Sequence, residues 1–412
     1  MKLAVILILL LSSCFNFLLE YLNYKNRNAP IPDNVKDIYD EETYKKRSAY
    51  DMENLRLGII SGICGVLLSA AFLIFNVHSQ LFDYICGYTA NAYLQAFFML
   101  GVPALLGLAL STAFGAVDTF KIEAKYGFNR SSVKTFIADT IKNLIIGVVV
   151  FGGLLSFFIF LYDTIGYTGL AIFFVTLGAL VFVLAAISPY INRIFYKFTP
   201  LEDGSLKEKI NALAERNGYP LKKVYVVNAS KRTTKLNAFF SGMGKTKTVG
   251  LFDTLVEKLD EDEVVAVLAH EIGHSKRKHI QRRIPFTVLQ FVPLIIILFL
   301  LIGYEPISLA FGFSGLNIAF GLNICIGLIS PVLIILRIPG SIVSRKHEFE
   351  ADSFEVENAG MGPAVSAMKR IARENFNNLT PHPFVVYATH SHPTVSNRIH
   401  AMERSGTAQV AV

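Results

Sequence analysis

The sequence predicts a mainly α-helical protein that crosses a membrane seven times and carries a polar α+β lobe on one side. Two observations predict this. Seven apolar runs are each long enough to span a bilayer, and the loops between them alternate between basic and free of Lys and Arg. The composition agrees, since 52% of the 412 residues are apolar and only 17% are charged, against about 25% charged in soluble domains. A soluble globular protein, a disordered chain and a coiled coil are thereby excluded.

The runs are Leu3–Leu19, Leu57–Val77, Leu94–Phe114, Leu144–Leu161, Gly169–Ile187, Pro285–Ile302 and Ile318–Leu336. A helix rising about 1.5 Å per residue crosses roughly 30 Å of hydrocarbon in such a length. Pro293 and Pro331 interrupt the last two runs, which are therefore expected to kink or to re-enter. The start, with Leu11-Ser12-Ser13-Cys14, resembles a lipoprotein signal. Cleavage there would put the basic loop 21–56 on the wrong side, so an uncleaved first span is expected.

Basic residues fall in loop 21–56 (Lys25, Arg27, Lys36, Lys45, Lys46, Arg47 and Arg56), in loop 115–143 (Lys121, Lys125, Arg130, Lys134 and Lys142), in segment 188–284 and in the tail. Loops 78–93, 162–168 and 303–317 hold none. Positive charge stays inside, so the N-terminus is expected outside and the C-terminus in the cytosol. The net charge of +7 records this topology, and no nucleic-acid partner is expected. Cys14, Cys64, Cys86 and Cys325 are widely spaced without a CxxC pair, which suggests neither a disulfide framework nor a thiolate metal site.

The chain divides into a membrane region (1–189), a cytosolic segment (190–283), two further spans (284–337) and a cytosolic tail (338–412). Segment 190–283 reads as a helix over Leu206–Asn217, a strand over Lys223–Val227, an extended stretch at Leu236–Phe240, a strand at Thr248–Leu251 and a helix from about Glu261. The tail reads as helices broken at Gly360, Pro363 and Pro381–Pro383.

Chemistry concentrates in that second helix, at His270-Glu271-Ile272-Gly273-His274. On a helix, positions i and i+4 lie about 40° apart around the axis, so both imidazoles reach one Zn²⁺ at about 2.0–2.1 Å. Glu271 is placed to act as general base toward a water activated by the ion, the arrangement of metal-assisted peptide hydrolysis. A third protein ligand is required. Glu348 and Asp352 form another i, i+4 pair, one able to ligate and the other to accept from a ligand imidazole, with His347 and Glu350 as rivals. His279, among Lys276, Arg277, Lys278, Arg282 and Arg283, reads as part of the basic collar of span six.

HExxH followed after two spans by the ExxxD of Glu348–Asp352 resembles the type I CAAX prenyl proteases. So do Asn237-Ala238-Phe239-Phe240, His390-Ser391-His392-Pro393 with Arg398, and Lys125-Tyr126-Gly127-Phe128-Asn129. The resemblance implies one catalytic zinc held by His270, His274 and Glu348, with Glu271 as base and Asp352 supporting a ligand. It implies that His392 and Arg398 contact substrate and steady the oxyanion, and that Asn237 and Ala238 hold substrate backbone. It further implies a seven-span membrane protein with a zincin-like α+β metallopeptidase lobe, a wide water-filled chamber, and a prenylated C-terminal CAAX sequence as substrate. The partners expected are that peptide or protein C-terminus and the lipid bilayer, with the chain acting as a monomer. The chain's compact length favours a bacterial plasma membrane, with the ER membrane expected in a eukaryote. Two other readings are a quality-control metalloprotease of the heat-shock type and a non-enzymatic channel or scaffold; the long N-terminal half argues against the first and the intact HExxH against the second.

Overall fold

Among the described residues, seven helices are long and apolar enough to cross a membrane, and each grows from one of the apolar runs. The structure, a computed structural model, describes residues 1–219, 224–241 and 248–410; Lys223 of the expected strand lies outside them. Helix α1 is Lys2–Asn26 and α2 is Glu41–Ile74, followed by the short α3, Val77–Cys86. Helix α4, Ala92–Val117, passes through a π-helical turn at Asp118–Glu123 into α5, Ala124–Tyr126; α6 is Val133–Ile165 and α7 is Tyr167–Phe195. Polar caps start several of them. The Asp40 carboxylate accepts from the Thr43 N–H, the Asn91 amide oxygen from Tyr93 and Leu94, and the Ser132 hydroxyl from Thr135, each satisfying donors that a helix start leaves free.

The lobe follows with β1 (Phe198–Pro200), α8 (Ser205–Arg216), β2 (Val224–Val227), β3 (Ala238–Ser241), β4 (Thr248–Phe252), α9 (Asp253–Lys258) and α10 (Glu261–Lys276). The chain then re-enters the membrane as α11, His279–Leu301, turns through α12, Glu305–Ala310, and returns as α13, Ile318–Ala359. Helices α14 (Met361–Glu374), α15 (Pro383–Thr389) and α16 (Val395–Val410) close the lobe. Helices α11 and α13 run on through Pro293 and Pro331, and through Pro285 and Pro339, so neither span breaks or re-enters there. Opening a helix inside hydrocarbon would strand several backbone groups, whereas a proline removes one donor, so the helix continues. Gly360 ends α13 with φ +88°, a conformation suited to glycine.

The spans pack in a closed ring, α1 on α2, α2 on α4, α4 on α6, α6 on α7, α7 on α11, α11 on α13 and α13 back on α1. One end of the ring is sealed by a core to which every span contributes, including Val5, Leu73, Met99, Phe158, Leu170, Leu298 and Phe320. These residues lie beside the loops that hold no Lys or Arg. Further along, the helices separate. Val148, Val149, Val150 and Phe151 of α6 are all at least 40% exposed, and Val181–Leu184 of α7 at least 37%. Four consecutive residues sweep about 300° of a helix, so these helices carry free surface inward as well as outward, and the ring encloses open space.

The lobe closes the other end. Its sheet has the order β1-β2-β4-β3, with β2 and β4 parallel and the other pairs antiparallel. That order leaves β3 at an edge. The core beneath joins Ile210, Leu213, Val249, Leu251, Leu268 and Ile272 to Phe354 of α13, so the last span and the lobe share one packed interior.

Candidate metal centre

Helix α10 starts at a capping box, in which the Asp260 side chain accepts from the Glu263 N–H and the Glu263 carboxylate accepts from the Asp260 N–H. Its face of Val264, Leu268 and Ile272 is buried, which leaves His270, Glu271 and His274 to line the site cavity. Gly273 makes the approach to α13 possible, since a Cβ there would stand 3.1 Å from Phe354. Helix α13 answers with Glu348, Asp352 and Glu355, all buried and spaced i, i+4, i+7 along one stripe.

Three donors converge between the two helices. His270 Nε2 lies 3.0 Å from His274 Nε2 and 3.5 Å from Glu348 Oε2, and His274 Nε2 lies 3.4 Å from Glu348 Oε1. Ligands bonded at about 2.1 Å to a tetrahedral ion stand about 3.4 Å apart, so the triangle has the dimensions of a metal site. Its charge fits too, because Glu271, Glu348, Asp352 and Glu355 surround a single permanent cation, Arg398. Burial pushes the His274 pKa down to about 3, which keeps that imidazole neutral as a ligand must be. The His270 pKa is raised, against its burial, by hydrogen bonds to Asp352, Glu348 and Glu355, and this imidazole would give up its proton to an incoming ion. Burial raises the pKa of Glu271, toward the range useful to a proton acceptor.

Each imidazole is held from behind. His270 Nδ1 lies 3.0 Å from Asp352 Oδ1 and 3.4 Å from Glu355 Oε2. His274 Nδ1 lies 2.8 Å from Nδ1 of His279, whose Nε2 lies 3.1 Å from Glu350 Oε2. With His274 Nε2 toward the other donors, Nδ1 carries the proton and donates to His279, which in turn donates to Glu350. His279 is therefore buried beneath the site, and not part of an exposed collar as its basic neighbours suggest. His347 stacks on it at 4.1 Å, and Arg282 holds Glu350 at 3.1 Å. Neither rival, His347 nor Glu350, joins the donor triangle.

Arg398 donates to both oxygens of Asp352, at 3.0 and 2.5 Å, and lies 3.7 Å from Glu348. His392 Nε2 is also 3.7 Å from Glu348. Both line a cavity of about 300 Å³ together with the three donors, Glu271, Asn237 and Ala238. The stretch Lys125–Asn129 stands further back. The Phe128 carbonyl accepts from Thr234 N–H at 3.0 Å and Arg130 N–H donates to Arg232, so this loop braces the segment entering β3.

The model of peptidase family M48 matches residues 200–405, and that of the CAAX prenyl protease N-terminal region, five membrane helices, matches residues 20–197. The chain belongs to the CAAX prenyl protease family of M48 metallopeptidases. Within this family it is 30% identical to CAAX prenyl protease 1 homolog of Oryza sativa, over 97% of this chain and 96% of that one. It is 29% identical to CAAX prenyl protease 1 of Saccharomyces cerevisiae, over 94% and 92%. The crystal structure of S. mikatae Ste24p superposes with a TM-score of 0.91 at 27% identity, covering 98% of this chain and 99% of that one. The protein is thus a membrane-embedded metallopeptidase.

Three residues around the site escape local sequence reasoning in their role: His279, Glu355 and Asn375; Glu350, weighed as a ligand, instead holds His279. Glu355 alone carried a signal, standing one further helical step from Glu348 and Asp352.

Proposed function

We propose that the chain cleaves a peptide bond near the C-terminus of prenylated, CAAX-type substrates, using one zinc ion held by His270, His274 and Glu348. The observation that carries this reading is the triangle of donors at 3.0–3.5 Å, set beside Glu271 in a cavity bordered by a free strand edge. When bound, the ion supplies an acidified water and polarises the scissile carbonyl. Glu271 takes the proton from the attacking water and returns it to the leaving nitrogen. His392 and Arg398 donate toward the carbonyl oxygen as negative charge develops there. Asp352 fixes the Arg398 guanidinium and the His270 ring. Asn237 and Ala238 bring the substrate alongside as an added strand.

The ring of spans closes within one chain, which supports action as a monomer. The basic loops meet the lobe through Lys235 and Glu123, which supports a cytosolic lobe and C-terminus with the N-terminus outside, in a bacterial plasma membrane or a eukaryotic ER membrane. The test is purified protein, wild type against Glu271→Gln, on a farnesylated CAAX peptide and an unprenylated control, with metal content measured in both proteins. Wild type is expected to release the last three residues of the farnesylated peptide. Glu271→Gln is expected to bind the same zinc and lose about 10²–10⁴-fold in rate. Equal cleavage by both proteins would refute the mechanism; cleavage of the unprenylated peptide alone would refute the substrate.

A further inference from the structure

Among the described residues no strand pairs with the outer edge of β3, and just before that strand a side chain sits where a neighbouring strand would lie. Main-chain groups of successive strand residues point to opposite sides. The Asn237 carbonyl points to β4, accepting from Phe252 N–H at 3.0 Å, so those of Leu236 and Ala238 point to the open edge. At Leu236 both groups are taken. Its N–H donates to Asn375 Oδ1 at 2.8 Å, and Asn375 Nδ2 donates to its carbonyl at 2.9 Å. This is the two-bond exchange that a residue of an adjacent strand would make. Asn375 also lines the site cavity with Asn237, Ala238, Glu271 and Arg398.

The amide is held firmly. Asn375 follows α14, and the next residue, Phe376, adopts φ +53°, costly for an aromatic residue. The Phe376 ring is embedded between Phe128 at 4.9 Å and Tyr50 at 5.9 Å, which secures the turn. From the other side, Lys235 lies 4.8 Å over the Phe128 ring and 2.9 Å from Glu123. Elements of the N-terminal membrane half thus grip both the strand and the residue that closes it.

We propose that Asn375 is a specificity-determining residue: its amide ends the open edge at Leu236, so an extended substrate pairs from Ala238 onward and cannot slide past. This rests on the peptidase reading above. Strand pairing that preserves which side chains face the sheet slips in steps of two residues. Removing the stop therefore admits a substrate displaced by two residues, and a second bond comes over the metal site.

The test uses the full-length, zinc-loaded protein in detergent, with a farnesylated CAAX peptide and a version extended by two residues. Products are mapped by mass spectrometry and backbone protection by hydrogen exchange. Wild type is expected to cut one bond. Asn375→Ala is expected to add a product displaced by two residues, with exchange of the Leu236 amide faster by about fivefold or more and α10 still protected. Asn375→Asp, which keeps an acceptor for the Leu236 N–H but sets a carboxylate oxygen against its carbonyl, is expected to miscut as well. Unchanged products, or an unchanged Leu236 amide in Asn375→Ala, would overturn the inference alone. A wild type that cuts neither peptide would overturn the peptidase reading and this inference with it.

Discussion

Replacing His279 with phenylalanine removes the acceptor behind His274 while keeping a flat ring to stack on His347. Wild-type His279 Nδ1 lies 2.8 Å from His274 Nδ1, and phenylalanine leaves the His274 N–H without that partner. Losing a hydrogen bond behind a ligating histidine costs about 10–100-fold in metal affinity. The His274 side chain is 23% exposed, so water can replace part of the lost bond, and the lower figure applies, about tenfold. The assay is zinc competition against a chromogenic chelator at neutral pH, with thermal unfolding as a control for packing. Glu350→Gln retains an acceptor for the His279 N–H, so its zinc affinity is expected to fall by less than about threefold. Zinc affinity of His279→Phe within about twofold of wild type would refute the view that His279 orients a ligand.

Three further outcomes are expected. Gly273→Ala places a Cβ 3.1 Å from Phe354; overpacking the contact of α10 with α13 costs about 1–3 kcal/mol against about 1 kcal/mol gained in helix propensity, so a Tm lower by a few degrees or less is expected. Arg398→Lys keeps the charge but cannot donate from two nitrogens to Asp352; kcat is expected to fall by about tenfold or more with zinc content unchanged. Saturating chelator removes stabilisation worth about 4 kcal/mol if free zinc stood a thousandfold above its Kd, so the metal-free protein is expected to unfold at lower temperature, and an unshifted Tm would count against a metal bridge between α10 and α13.

Parts of the fold and site were legible because their signals are local. Each span is a contiguous run, and the His270–His274 pair follows from the 3.6-residue period alone. Choosing Glu348 over His347 or Glu350 is different. Adjacent helical positions point about 100° apart, and only the packing of α13 on α10 decides which faces the histidines. His279 was hidden by its basic neighbours. Lys278 takes φ +56°, and the turn it makes returns His279 beneath His274, which no periodicity reports. Asn375 meets Leu236 across 139 positions of sequence, and a single asparagine after a helix carries no mark of such a partner. The enclosed space was equally silent, because lipid-facing and chamber-facing sides of a span can be alike in hydropathy.

The placement of the donors has a mechanical consequence for the membrane half. Helix α10 ends at Lys276 and α11 begins at His279, so the two histidines sit on a helix that leads into span six almost at once. Glu348 sits on α13 itself, whose 42 residues extend about 63 Å, long enough to cross the bilayer and project well into the lobe. Any ion bonded to all three side chains therefore ties span six to span seven at the lobe end of the ring, while Leu298 and Phe320 already join the same helices in the sealed core at the far end. Between these two ties α6 and α7 carry free surface on both sides. An open interior at that position is compatible with a stable ring because both of its ends are clamped, and the clamp at the open end is the proposed metal site.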